Sequence, residues 1–262
     1  MEYEGIVYEK EDRIAIIRLN QPEVMNAYTR KMVWEMASAL DDAAEDDEIR
    51  ALIITGTGQG FCTGVNNKDP EAARKGVRSI VRHELRLHPA MSRLWAYDKP
   101  VICAINGIAA GAGTALAMVC DIRIASDRAK FCFVWARRGM VPDNGASYFL
   151  VRLVGLAKAY ELTFTGDEID AEEMKKIGLV SQVVPHDDLM KAAKDMAMRL
   201  TKGSPIATQL SKQLIRNALT EMDLYKQMEF EGNFQRIAVG TEDFKEMAQA
   251  IKEKREPVFK GC

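Results

Sequence analysis

No apolar run in this chain approaches the roughly 20 residues that a membrane span needs. An excess of one charge is missing too: 36 Lys and Arg stand against 38 Asp and Glu, interspersed, for a net charge of -2. That balance argues against a nucleic-acid partner or a membrane surface. There is no Cys-x-x-Cys pair and no metal-like spacing among the five cysteines and three histidines, so no metal site is expected. Most of the cysteines sit among apolar neighbours, which fits reduced core thiols in a cytoplasmic protein. The start Met1-Glu2-Tyr3-Glu4 lacks the basic head and apolar stretch of a secretion signal, in keeping with that expectation. Neither G-x-G-x-x-G nor G-x-x-x-x-G-K-[ST] occurs, which disfavours phosphate cradling by a glycine loop.

What the chain does have is a hydrophobic content of 47% over 262 residues, enough for one large core with or without a small appendage. Apolar runs at Ala51–Thr55, Val101–Ile105 and Ile122–Ala125 read as buried strands alternating with helices, which implies crossover connections and a largely parallel α/β core. Val7–Tyr8 and Arg13–Leu19 read as two further strands joined by a turn at Lys10-Glu11-Asp12. Val33, Met36, Ala37 and Leu40 recur at helical spacing and predict an amphipathic helix over 30–45. After Pro142 the pattern becomes helical, over about 146–154, 156–164, 186–201, 204–219, 221–237 and 241–255.

Two strand ends carry small-residue elbows. Val101–Ile105 runs into Asn106-Gly107-Ile108-Ala109-Ala110-Gly111-Ala112-Gly113-Thr114, where the glycines let backbone approach a ligand closely as a helix begins. The first N–H groups of a helix have no internal partner and carry partial positive charge, so they suit an oxygen that gains negative charge. A tight, closely packed strand-to-helix turn explains the same residues without a ligand. The second elbow, Gln59-Gly60-Phe61-Cys62-Thr63-Gly64-Val65-Asn66, follows Ala51–Thr55 in the same way.

With these pieces stand Asn20-Gln21-Pro22-Glu23-Val24-Met25-Asn26-Ala27, Lys99-Pro100-Val101, Cys120-Asp121-Ile122-Arg123-Ile124-Ala125 and Gly178-Leu179-Val180. In order and spacing the set resembles the enoyl-CoA hydratase/isomerase (crotonase) superfamily over nearly the whole chain. The resemblance implies a spiral core of ββα turns, placed at residues 1–200, and a helical C-terminal region at 201–262 that takes part in trimers or hexamers built as dimers of trimers. It implies an acyl-CoA substrate, with coenzyme A as part of the thioester and no separate cofactor. The main-chain N–H groups of Val65 and Ala112 would bind the thioester oxygen. Coenzyme A contacts would fall on Met25, Ala27, Thr63 and Lys68, and, from a neighbouring subunit's C-terminus, on Phe259 and Lys260. Lys68 reads equally well as an ordinary exposed lysine.

Departures from the family pattern bear on the reaction. The two glutamates that hold water in the hydratases correspond here to Ala115 and Trp135, neither of which does acid–base work. An acid is found instead at Asp143, within Pro142-Asp143-Asn144-Gly145, a position where several isomerases of the family carry one. A single carboxylate beside an acyl chain takes a proton from one carbon and returns it to another, and burial among Phe133, Trp135 and Met140 would raise its pKa for that work. An N-cap or turn aspartate explains Asp143 without catalysis. The triple Trp135, Asp143 and His88 also resembles the 4-chlorobenzoyl-CoA dehalogenase branch, in which an aspartate attacks the ring and a histidine activates water. The pair His88-Pro89 is similar as well to ring-opening phenylacetyl-CoA isomerases, so His88 does not separate the two. Trp135 as a core aromatic and His88 as a packing residue remain open. Double-bond isomerisation on Asp143, of a bulky or cyclic acyl group, leads. Covalent catalysis by Asp143, hydration with other acid–base groups, and acyl-CoA binding without turnover follow it.

Overall fold

A computed structural model describes residues 3–66, 68 and 89–262. Strand β1 (Ile6–Glu11) pairs antiparallel with β2 (Ile14–Leu19) across a tight turn in which Asp12 and Arg13 both have positive φ. The turn therefore falls one to two residues later than the charged triplet suggests, because β1 carries its pairing out to Glu11. Helix α1 (Arg30–Glu45) then crosses over to β3 (Ala51–Gly56). Thr29 caps it, its hydroxyl accepting from Met32 N at 3.2 Å, a contact worth about 1 kcal/mol.

From here the chain repeats one unit. A long buried strand is followed by a three-residue strand in a second sheet and then by a helix. Strands β3, β5 (Val101–Ile105) and β7 (Ile122–Ser126) join the first sheet, and β4 (Gly60–Cys62), β6 (Ile108–Ala110) and β8 (Lys130–Cys132) join the second. The helices are α2 (Pro89–Ala96), α3 (Ala112–Val119) and α4 (Ala146–Thr165). The second sheet ends on β9 (Glu168–Asp170), antiparallel to β8, and the first on β10 (Gln182–Val184), parallel to β7. Strand order in the large sheet is β1-β2-β3-β5-β7-β10, parallel from β2 onward. Every residue of β3 and β5 is buried, as expected for parallel strands covered on both faces. One face packs on α1, α2 and α3. The other, through Ile53, Ile102 and Ile124, meets Leu189, Ala193 and Ala197 of a later helix.

Between β9 and β10 lies α5 (Ala171–Lys176), and after β10 come α6 (Leu189–Thr201), α7 (Pro205–Ala218), α8 (Leu224–Val239) and α9 (Glu242–Glu253). The helix expected from residue 186 starts at Leu189, because His186–Asp188 after Pro185 forms a 3-10 turn. Helix α4 is broken at Gly155 (φ 76°, ψ 168°), where two separate helices are expected from the pattern. The architecture is the α/β spiral with a helical C-terminal stretch. No helix among the described residues is long and apolar enough to cross a membrane.

Candidate active site

The two elbows meet beyond the C-terminal ends of β3 and β5, held there by a pair of buried amides. Asn26, fully buried, accepts from Gln21 N at 2.9 Å and donates to Thr57 O at 2.9 Å and Gly60 O at 2.8 Å. Asn106 accepts from Gly56 N at 3.1 Å and donates to Gly58 O at 2.9 Å and to the same Gly60 O at 3.0 Å. Loop 20–28, loop 56–60 and the end of β5 are thus fastened through one carbonyl oxygen. Both asparagines lie inside recognisable motifs, yet a positioning role was not read from the sequence. The available signal is an uncharged amide kept among apolar and glycine neighbours, where burial costs free energy unless every polar atom is paired.

Close backbone approach then joins the elbows to each other. A Cβ on Gly64 (φ 88°) would lie 2.9 Å from Ala110 O and 3.4 Å from Ala112 N, and one on Gly113 would lie 2.0 Å from Cys62 O. Tyr28 pairs with Val65 as a parallel bridge, donating to Gly64 O at 2.6 Å and accepting from Asn66 N at 2.9 Å. Because the flanking residues make those bonds, the N–H of Val65 points away from Tyr28. Ala112 opens α3, so its N–H has no intrahelical acceptor. Neither N–H donates to an acceptor among the described residues. Two unpaired main-chain donors at one seam can stabilise an oxygen that becomes negative. Beneath them Tyr28 and Cys62 are buried; burial raises the Tyr28 hydroxyl and pushes the Cys62 thiol up to about 12, so both stay protonated.

The coenzyme A candidates divide. Met25, in left-handed conformation, accepts from Thr63 N at 3.2 Å and Thr63 Oγ1 at 3.4 Å, and Ala27 is buried just beyond, so Met25, Ala27 and Thr63 come together beside the seam. Lys68 is exposed at the rim, its N donating to Asn66 Oδ1. Phe259 and Lys260 do not reach this seam within one chain. Phe259 O accepts from Arg50 Nη2 at 2.6 Å, and Lys260 N donates to Asp243 Oδ1 at 2.7 Å. Arg50 precedes β3, and the site follows it, which separates them by about 20 Å at a strand rise of about 3.3 Å per residue.

Asp143 stands exposed on the loop before α4. The apolar wall expected from Phe133, Trp135 and Met140 is not formed by those three residues. Phe133 and Trp135 turn into the core with ring centroids 6.0 Å apart, and Met140 is half exposed. The indole of Trp135 makes no hydrogen bond to Asp143 among the described residues. Asp143 is not a side-chain cap either. The N-cap of α4 is Gly145 without a side-chain bond, and Asp143 contributes its main-chain carbonyl, which accepts from Ala146 N at 2.8 Å. Ala115 and Trp135, expected to stand where the hydratases carry glutamates, are both buried. His88 lies outside the described residues. Among the described residues no group of three or more His, Cys, Asp or Glu is arranged to hold a metal ion.

A fold with paired main-chain donors at the ends of two ββα turns is the crotonase architecture, and residues 9–262 match the family model for enoyl-CoA hydratase/isomerase. The chain belongs to that family. It is 36% identical to a 1,2-epoxyphenylacetyl-CoA isomerase of Escherichia coli, over 98% of this chain and 99% of that protein. It is 35% identical to a short-chain-enoyl-CoA hydratase of Clostridium acetobutylicum, over 97% of each. The crystal structure of an enoyl-CoA hydratase from Bacillus anthracis superposes with a TM-score of 0.92 at 32% identity, covering 99% of this chain and all of that one.

Proposed function

We propose that this member of the family is an enoyl-CoA isomerase that moves a double bond along a bulky or cyclic acyl chain. The thioester oxygen accepts from Val65 N and Ala112 N. The Asp143 carboxylate takes a proton from the carbon next to the thioester, and the electron pair spreads into a dienolate whose charge rests on that oxygen. The protonated Asp143 then returns its proton to the far end of the conjugated system, and the double bond comes into conjugation with the carbonyl. No water or metal enters the balance. Acyl-chain binding over Asp143 would withdraw it from solvent and strengthen the field of the two donors. The observation that supports this reading is the chemistry at three positions. Ala115 and Trp135 leave no carboxylate where the hydratases need two, while Asp143 presents one.

We infer further that residues 1–200 form the catalytic spiral and 201–262 serve assembly into trimers, singly or as a pair. Support comes from apolar side chains left in solvent there, with Met222, Leu224 and Tyr225 at 94%, 68% and 84% exposure. In such an assembly Phe259 and Lys260 would serve a neighbour's coenzyme A site. The free thiols, four of five buried, fit the cytoplasm.

The test is Asp143→Asn against a panel of 3-enoyl, 2-enoyl, aromatic and cyclic acyl-CoA thioesters in deuterated water. Loss of about 10²–10⁴-fold in rate with coenzyme A binding kept, and deuterium exchanged into the substrate carbons by the unaltered enzyme, is expected for acid–base work by one residue. Label from ¹⁸O-water in the Asp143 carboxylate after one turnover would establish covalent catalysis instead. Rapid hydration of crotonyl-CoA would establish a hydratase, and binding without turnover of any thioester a non-catalytic binder.

A further inference from the structure

The Asp143 carboxylate has no hydrogen-bond partner among the described residues, and two consecutive left-handed residues, Asn144 and Gly145, follow it. Its position therefore derives from whatever holds that turn. Two main-chain bonds help, Ala146 N to Asp143 O at 2.8 Å and Phe149 N to Gly145 O at 3.0 Å. The ring of Phe149 closes over Gly145 so tightly that a Cβ there would lie 2.9 Å from it. This first segment of α4 is cut off from the rest of the helix by the break at Gly155, so the long helix does not steady it.

The steadying contacts come from elsewhere. Trp95, in the last turn of α2, meets Phe149 at 5.4 Å and Tyr148 at 5.9 Å, both edge-to-face. Behind it the Arg216 guanidinium of α7 lies 4.7 Å from the Trp95 ring, and donates to Tyr97 O at 3.3 Å and Leu94 O at 3.4 Å. Arg216 also faces Asp121 at 3.6 Å, beside Lys212, which bonds that carboxylate at 2.6 Å. On the other flank Arg152 covers Tyr148 at 3.6 Å.

We propose that Trp95, backed by Arg216, is a positioning residue that sets the Asp143 turn from the far side of α4's first segment. The proposal rests on Asp143 as the proton carrier, and it joins the C-terminal helices to the reaction through a stack of rings rather than through the oxyanion seam. Arg216→Lys keeps a charge facing Asp121 but loses the planar face on the indole, and Trp95→Phe keeps an edge for Phe149.

The experiment measures amide hydrogen exchange over 143–149 and steady-state kinetics for Trp95→Ala, Trp95→Phe and Arg216→Lys. In Trp95→Ala, exchange over this segment should quicken about tenfold, local opening being set by such contacts, and kcat should fall about tenfold with KM within about twofold. Trp95→Phe should recover most of both, and Arg216→Lys should fall between. In an Asp143→Asn background Trp95→Ala should add no further loss, since a residue acting through another is not additive with it. Unchanged exchange in all three variants overturns the proposal whatever the chemistry. Quickened exchange with kcat unchanged overturns the link to catalysis. A fully active Asp143→Asn would instead overturn the proposed function. Should Trp95→Ala fail to fold, the exchange and kcat of the two milder variants decide.

Discussion

Gly113→Ala tests whether the anion site is built by close backbone approach. An added Cβ would lie 2.0 Å from Cys62 O and 2.7 Å from Cys62 C, both main-chain atoms of β4 with no freedom to rotate aside. Ordinary carbon–oxygen contact is about 3.3–3.6 Å, so the start of α3 must retreat from β4 by about 1.3 Å or more. Ala112 is the adjacent residue, and its N–H moves with the helix. A hydrogen bond of about 2.9 Å opened by that amount is no longer a bond. Loss of one such donor costs about 10²–10³ in kcat. The overpacking itself costs about 1–3 kcal/mol of stability, or a few degrees in Tm for a chain of this size. The assay is kcat and KM on the best thioester of the panel, with calorimetry for coenzyme A and a melting curve for the fold. Gly232→Ala serves as control, because its Cβ meets nothing within 4 Å. A Gly113→Ala enzyme within about twofold of the original kcat would refute the idea that the β4–α3 contact sets the donors.

Asn26→Ala strands Gln21 N and Thr57 O and leaves Gly60 O with Asn106 alone. At about 1–3 kcal/mol for each buried group left unpaired, it should lower stability by about 3 kcal/mol and weaken coenzyme A binding, as read by melting and calorimetry. Asn26→Asp should not rescue it, since an ionised carboxylate cannot donate to either carbonyl. Burial holds the Cys62 thiol up to about 12 in the fold, whereas an unfolded thiol loses its proton near pH 8.5 to 9. The neutral thiol's stabilising share is therefore complete below that pH and is lost as pH rises toward the folded value. Urea midpoints should fall between pH 9 and 11, less steeply in Cys62→Ala; equal slopes would rule out this origin.

Long elements were legible because their periodicity is long enough to read. Helix α1 falls at 30–45 and β5 at 101–105, as the apolar spacing requires. The second sheet was not legible, since β4, β6, β8 and β9 have three residues each, too few for any alternation to show. The seam was partly legible: glycines at 64, 111 and 113 announce backbone approach, whereas the amides of Asn26 and Asn106 depend on contacts 31 to 50 residues apart in sequence. Asp143 stood out by its motif, but its exposure did not, because the hydrophobic residues near it in sequence, Phe133 and Trp135, point into the core. Trp95 and Phe149 gave no signal, being 54 residues apart and meeting only in the folded chain.

The donors of the seam belong to the main chain, so the side chains of Val65 and Ala112 are free of the task. Val65 is more than half exposed. On the proposed reading, substitutions there would change the apolar surface beside the thioester and leave the two N–H groups in place. On that reading the same scaffold would admit a change of substrate by small steps, each neutral toward charge stabilisation, and a change of reaction by moving one carboxylate. For a designer, position 65 is the inexpensive place to begin, and position 113 the one to leave alone.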